Sequence, residues 1–153
     1  VFRNQSLDEI AETAKAVGLD AVQLHGRVEE LDWAKFLPGV FVIRVFHMTP
    51  DEEKNAPTLH DALRPGYHHI ILLDTATQGG QDGGSGVSFN WSHVSNIPVP
   101  FLIAGGLTPD NVQEALTQSL AAGVDTSSGV ETEGQKDTAK ITAYVENARR
   151  VLS

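Results

Sequence analysis

The chain contains no cysteine, a single methionine, two tryptophans and two tyrosines among its 153 residues. Without cysteine there can be no disulfide, no thiolate metal site and no cysteine nucleophile or base within these residues. Basic residues are scarce as well. Lys and Arg number 11 against 20 Asp and Glu, a formal charge of −9. That balance argues against nucleic acid or an anionic membrane as partner, since both require a positive field. No apolar run approaches the ~20 residues that span a bilayer. No secretory leader is legible at the start, where Val1 stands in place of an initiator Met.

What is present suits a folded domain. The chain is 41% hydrophobic, which is enough to bury a core at this length, and its 14 Gly and 7 Pro are too few for a fibrous sequence. Residues 6–17 open with a Ser-x-x-Glu capping box (Ser6, Glu9) and carry Leu7, Ile10, Ala11, Ala14 and Val17 at helical spacing. A short strand is expected over 21–26, closed by Gly26, then a helix over 29–37 that ends at Pro38-Gly39. Residues 40–46 form a strand, 49–63 a weaker helical stretch broken by Pro57, and 69–74 another strand. A glycine-rich loop (79–86), a short helix (90–97) and a strand (100–104) follow. Thr108 then caps a helix with Pro109 at its first position. A strand over 123–127, a turn at Ser128-Gly129 and an amphipathic helix over 138–152 complete the chain, and residues 1–4 look like the tail of a strand.

Six strands, each followed by a helix, imply a parallel sheet covered by helices, an α/β fold. The strand starts lie about 24 residues apart, and eight such units need ~195 residues, the lower edge of the (β/α)8 TIM barrel range. About six β/α units are therefore expected, strands 3 to 8 of a barrel, as a single domain over 1–153. An open doubly wound sheet is the rival arrangement.

Alternation along the strands sorts the chemistry. Val22 and Leu24 share one face of their strand, so Gln23 and His25 share the other. The same treatment groups Val42, Arg44 and Phe46, and groups Ile70, Leu72 and Asp74, so that the top of a barrel would hold Gln23, His25, Arg44, Asp74 and Asp125. Arg44 is expected to form a structural ion pair with one of the aspartates. Asp74 ends an apolar strand just ahead of a glycine-rich loop. It is either a general acid, partly desolvated beneath that loop, or the cap of a turn. Gly105-Gly106 and Ser127-Ser128-Gly129 end the last two strands, where glycine lets backbone N–H groups approach a phosphate. The 79–86 loop lacks the Lys-Ser/Thr of a nucleotide P-loop and reads better as a lid. The six histidines show no ligand spacing, His68 and His69 point to opposite faces, and Trp33 and Trp91 read as packing residues, so no metal is expected.

Several stretches in one order are more specific than any one of them. They are Gln23-Leu24-His25-Gly26; Leu72-Leu73-Asp74-Thr75, then Gly84-Ser85-Gly86-Val87-Ser88-Phe89-Asn90-Trp91; Ala104-Gly105-Gly106-Leu107-Thr108-Pro109-Asp110-Asn111-Val112; and Gly123-Val124-Asp125-Thr126-Ser127-Ser128-Gly129-Val130-Glu131-Thr132, with Gly134 and Lys136-Asp137 beyond. Together they resemble phosphoribosylanthranilate isomerase, a (β/α)8 enzyme of tryptophan biosynthesis, over essentially the whole chain. Asn4-Gln5-Ser6 matches the end of that family's third strand.

The resemblance implies an Amadori rearrangement of N-(5-phosphoribosyl)anthranilate. Asp74 would be the general acid, Gln23, His25 and Asp125 would face the substrate, and Gly105, Gly106, Ser128 and Gly129 would hold the phosphate. It implies no cofactor, a small phosphorylated substrate, no nucleic-acid or membrane partner, a cytoplasmic protein, and a parent chain compatible with fusion to other tryptophan-pathway domains. The family's base is a cysteine at the end of the first strand, and an arginine after the second helps hold the anthranilate carboxylate; neither position is present here. Thr126 and Asn90 replace the Val and Asp frequent in relatives, and Val87 replaces a common lysine. These 153 residues alone are thus expected to be inactive and aggregation-prone. A non-catalytic phosphate-binding remnant is the alternative. Indole-glycerol-phosphate synthase is a weaker one, since it calls for a strand lysine and the expected strands contain none.

Overall fold

The computed structural model describes residues 1–25, 36–49, 63, 68–75 and 90–153. The expected helices over 29–37 (but for its last two residues) and 49–63 (but for its ends), the 79–86 loop, Gly26, Trp33 and Val87 lie outside these residues.

Helix α1 (Leu7–Val17) begins at the capping box that the sequence announces. The Ser6 hydroxyl accepts from the Glu9 N–H, and the Glu9 carboxylate accepts from the Ser6 N–H at 2.8 Å. Gly18, at φ +69°, closes the helix in the left-handed region that favours glycine. The buried face of α1, Ile10 and Ala14, packs on Val22, Leu24 and Val42.

Five parallel strands follow in sequential order: β1 (Ala21–Leu24), β2 (Phe41–His47), β3 (Ile70–Asp74), β4 (Phe101–Ala104) and β5 (Gly123–Val124). A doubly wound sheet would reverse its order from a central switch point, and this one does not. The sixth strand expected at residues 1–4 is reduced to one parallel bridge between Phe2 and Leu24. There the Phe2 N–H donates to the Gln23 carbonyl and the His25 N–H to the Phe2 carbonyl, both at 2.8 Å. Strand β5 is also shorter than expected, although the Asp125 N–H still bonds to the Ile103 carbonyl at 2.9 Å.

Register sorts the side chains into two layers. Phe46, Leu73 and Ile103 align across β2, β3 and β4. They join Ile71, Phe101 and Leu107 in a core shared with helices α2 (Val112–Ser119) and α3 (Thr138–Leu152). Val45, Leu72 and Ala104 form a separate cluster on the opposite face, flanked by Ile43 and Leu102. Arg44 aligns with Leu24 and Ile71, which are both buried on the helix side. The expectation that Arg44 points inward with the polar set is therefore wrong. It shares the face of Val42 and Phe46, and its guanidinium lies 5.2 Å from the Phe46 ring centre.

Three local expectations also change. The short helix near residue 90 is a 3-10 turn, Trp91–Val94, whose cap Asn90 accepts from the Ser92 N–H at 3.2 Å. Thr108 and Pro109 do not start α2. Asn111 accepts from the Thr108 N–H at 2.8 Å and closes a turn, so the helix begins at Val112. Beyond a second 3-10 turn, Ser128–Val130, lies an unforeseen hairpin of β6 (Glu131–Thr132) and β7 (Gln135–Lys136), with Gly134 at φ +74°. Asp137 then caps α3 by accepting from the Ala139 and Lys140 N–H groups.

Leu73 is 0% exposed in the larger core. Leu73→Ala should cost about 2–5 kcal/mol, seen as a lower urea midpoint at unchanged slope.

Candidate active site

The inward face of the sheet turns polar at the carboxyl ends of its strands. His47, Asp74 and Ala104 occupy one row of the register. His47 Nδ1 lies 3.4 Å from Asp74 Oδ2, with the His47 side chain 44% exposed and that of Asp74 19%. The backbone on either side is pinned. The Met48 N–H donates to the Asp74 carbonyl at 2.8 Å, and the Thr75 N–H donates to the Ala104 carbonyl at 2.9 Å. The buried Thr75 hydroxyl donates to that same carbonyl at 2.8 Å.

The ring of His25 stands 6.0 Å from that of His47, and His25 Nε2 is 3.3 Å from Gln23 Oε1. Burial pushes the His25 imidazolium down from its usual range, and the charges of Arg3 and His47 add to this. Asp74 and Asp125 oppose the shift, which places both carboxylates within electrostatic reach of His25. At neutral pH His25 is therefore an uncharged group in a polar cluster, not a cation. Of the expected set, Gln23, His25 and Asp74 are linked through His47, and Asp125 acts on His25 through its charge. The residue that joins it, His47, was missed because β2 was assigned to the wrong face. Parity by itself does not find it, since Ile43 and Val45 are as apolar as Val42 and Phe46; the burial of Val42 and Phe46 beneath the helices is what turns Val45 and His47 the other way.

The two glycine turns form a second part of the site, and they touch. Thr126 Oγ1 donates to the Leu107 carbonyl at 2.7 Å. A Cβ on Gly129 would collide with that same carbonyl, so glycine is required there by close approach of backbone. Gly105 and Gly106 sit at φ +96° and +63°.

The carbonyls of both turns are tied to the protein. The Thr75 hydroxyl reaches the Gly105 carbonyl (3.3 Å), and Asn111 Nδ2 the Gly106 carbonyl (3.0 Å). Lys136 Nζ donates to the Ser127 carbonyl at 2.8 Å and pairs with Glu131. In a trans peptide the N–H points opposite to the C=O. The amides of Gly106, Leu107 and Ser128 are thus turned away from these anchors. Asn111 and Lys136 are anchors that the sequence reading did not assign, although both lie inside its quoted motifs.

Parallel strands in sequential order that carry polar groups and glycine turns at their carboxyl ends define a class of α/β protein that keeps its chemistry on that rim. A sequence model of the family described as N-(5'phosphoribosyl)anthranilate (PRA) isomerase matches residues 1–147, and the chain belongs to this family. It is 44% identical over 145 residues to a Multifunctional tryptophan biosynthesis protein of Schizosaccharomyces pombe, covering 95% of this chain and 18% of that one. It is 41% identical to the N-(5'-phosphoribosyl)anthranilate isomerase of Wickerhamomyces anomalus, covering 97% and 60% respectively. The crystal structure of phosphoribosyl anthranilate isomerase from Thermotoga maritima superposes with a TM-score of 0.79 at 33% identity, over 97% of this chain and 71% of that one. The chain thus spans about three fifths of the Wickerhamomyces relative and about a fifth of the multifunctional one.

Gly129→Ala should separate the two glycine turns. An overpacking cost of about 1–3 kcal/mol is expected in urea unfolding, with Gly106→Ala paying instead through its backbone conformation.

Proposed function

We propose that this protein takes part in the reaction for which its family is named, the conversion of N-(5-phosphoribosyl)anthranilate to 1-(2-carboxyphenylamino)-1-deoxyribulose 5-phosphate. The sheet is then the strand 3 to strand 8 part of a (β/α)8 barrel, and the five strands with the Phe2 bridge are in keeping with that. The observation that carries the reading is the placement of Asp74, at the rim of the sheet and in one register row with His47.

The chemistry follows from the groups on that rim. Asp74 donates a proton to the ribose ring oxygen, the C1′–O bond breaks, and an iminium forms with the anthranilate nitrogen. Removal of the C2′ proton gives an enolamine, which tautomerises to the ketone. None of the 153 residues is a cysteine, so a thiolate base has to come from outside them. Gln23, neutral His25 and Asp125 face the sugar. The phosphate lies on the amides around Gly105, Gly106, Ser128 and Gly129, whose carbonyls are held from behind. A chain of charge −9 thereby binds an anion through aligned backbone dipoles. No cofactor enters the scheme, and the setting is cytoplasmic. Both free and multifunctional proteins are represented among the relatives, and the rim geometry serves either.

The test uses residues 1–153 joined behind the first two β/α units of a relative, which restore a cysteine and an arginine. Turnover is followed by the loss of substrate fluorescence. Asp74→Asn should lower kcat by about 10² or more with KM changed only a few-fold, as for a lost general acid. Retention of most of the kcat would remove Asp74 from the mechanism. Inorganic phosphate should protect the amides of Gly106 and Ser128, and Ser128→Ala should keep that binding because the donor is backbone. Phosphate binding without turnover would identify a non-catalytic remnant.

A further inference from the structure

We propose that His47 is the positioning residue of Asp74, holding the carboxyl group at the angle from which it delivers its proton. This rests on the isomerase reading above and deepens it by a residue that neither the chemistry of the family name nor the sequence motifs assign.

The argument is one of constraint. Asp74 is the last residue of β3, and its main chain cannot move, because its carbonyl accepts from Met48 and its successor Thr75 is doubly bonded to Ala104. The direction of the carboxyl group is then set by its side-chain torsion and the groups around it. A carboxyl group on a fixed backbone still sweeps an arc of several ångströms, and a misplacement of ~1 Å costs up to 10²-fold in rate. His47 Nδ1 approaches Asp74 Oδ2 at 3.4 Å and narrows that arc.

His47 is itself immobilised. It closes β2 in register with Asp74, and the next residue, Met48, is buried and donates to Asp74. Its ring leans on His25 at 6.0 Å, and His25 in turn meets Gln23. The order Gln23, His25, His47, Asp74 runs along the inward face and ends on the proposed acid. Because the contact is made through Nδ1, close to the backbone, an asparagine reproduces it and a glutamine reaches past it.

The experiment takes the joined chain of the previous subsection and compares His47→Asn with His47→Gln, two polar replacements at a half-exposed site. His47→Asn should keep kcat within about 3-fold, and His47→Gln should lose about 10-fold in kcat with KM within about 2-fold. In an Asp74→Asn background, His47→Gln should add less than about 2-fold, since the group it orients is gone. Equal losses in both backgrounds, an effect confined to KM, or an asparagine no better than glutamine would overturn the proposal. Lack of turnover in the unsubstituted joined chain would bring down the isomerase reading together with it. Full turnover in His47→Gln would remove this proposal alone and leave that reading standing.

Discussion

The structure depends on one demand, that the strand residues buried beneath the helices be apolar, a demand that half-buried Arg44 escapes by lying over the Phe46 ring. Phe46, Leu73 and Ile103 meet it in a single register row, and Val22 with Val42 in another toward α1, where Leu24 is also buried. Because side chains alternate, the demand on one face decides what the other may carry. Its lower rows are filled by Ile43, Val45, Leu72 and Leu102. Only at the carboxyl ends, where water is within reach, can His47 and Asp74 be afforded. Polar side chains lower down would lose about 2–7 kcal/mol each on leaving water unpaired. His47 and Asp74 sit on the rim for that reason, and Gln23, lower down in the row of Ile43, is paired with His25.

A second constraint concerns sign of charge. With 11 basic against 20 acidic residues, the protein has little positive field for an anion. The glycine turns answer with fixed dipoles. Thr75, Asn111, Thr126 and Lys136 bond to the carbonyls of Gly105, Gly106, Leu107 and Ser127. The bonds at Gly105, Gly106 and Ser127 turn the amides of Gly106, Leu107 and Ser128 the other way, while the Thr108 amide beyond Leu107 is taken by Asn111. Four side chains from four stretches of sequence thereby set the backbone of two loops. A phosphate would meet donors already oriented, with no reorganisation on binding.

The sequence carried most of the architecture in local signals. The capping box at Ser6 and Glu9, the terminal Gly18 and the apolar runs of β2 and β3 all stand in the structure where the residues point to them. Other features depend on partners far along the chain and were not legible locally. Thr108-Pro109 has the composition of a helix start, but Asn111 folds back on the Thr108 N–H and delays α2 by a turn. The face of β2 was ambiguous because it holds apolar residues at both parities, Val42 and Phe46 on one and Ile43 and Val45 on the other. Only the contacts with helices break that tie, and they send Arg44 outward and His47 inward. The hairpin at residues 131–136 is two residues per strand, too short for any periodic signal.

That ambiguity bears on how the site is assembled. In the proposed reaction the acid chemistry would fall to side chains of successive strands, His25 beyond β1, His47 on β2 and Asp74 on β3. The proposed anion cradle would be main chain, from the turns beyond β4 and β5. The two halves meet at Thr75, which follows Asp74 directly and whose hydroxyl donates to the Ala104 carbonyl at 2.8 Å with the Gly105 carbonyl 3.3 Å away. Its hydroxyl is buried, so those bonds cannot be traded for water without leaving a carbonyl unpaired, a loss of about 1–3 kcal/mol. A shift of the first glycine turn would therefore pull on the residue next to the acid. On the proposed reading, the distance between phosphate and proton donor would be set by covalent neighbours and buried hydrogen bonds, which deform far less than exposed side chains do.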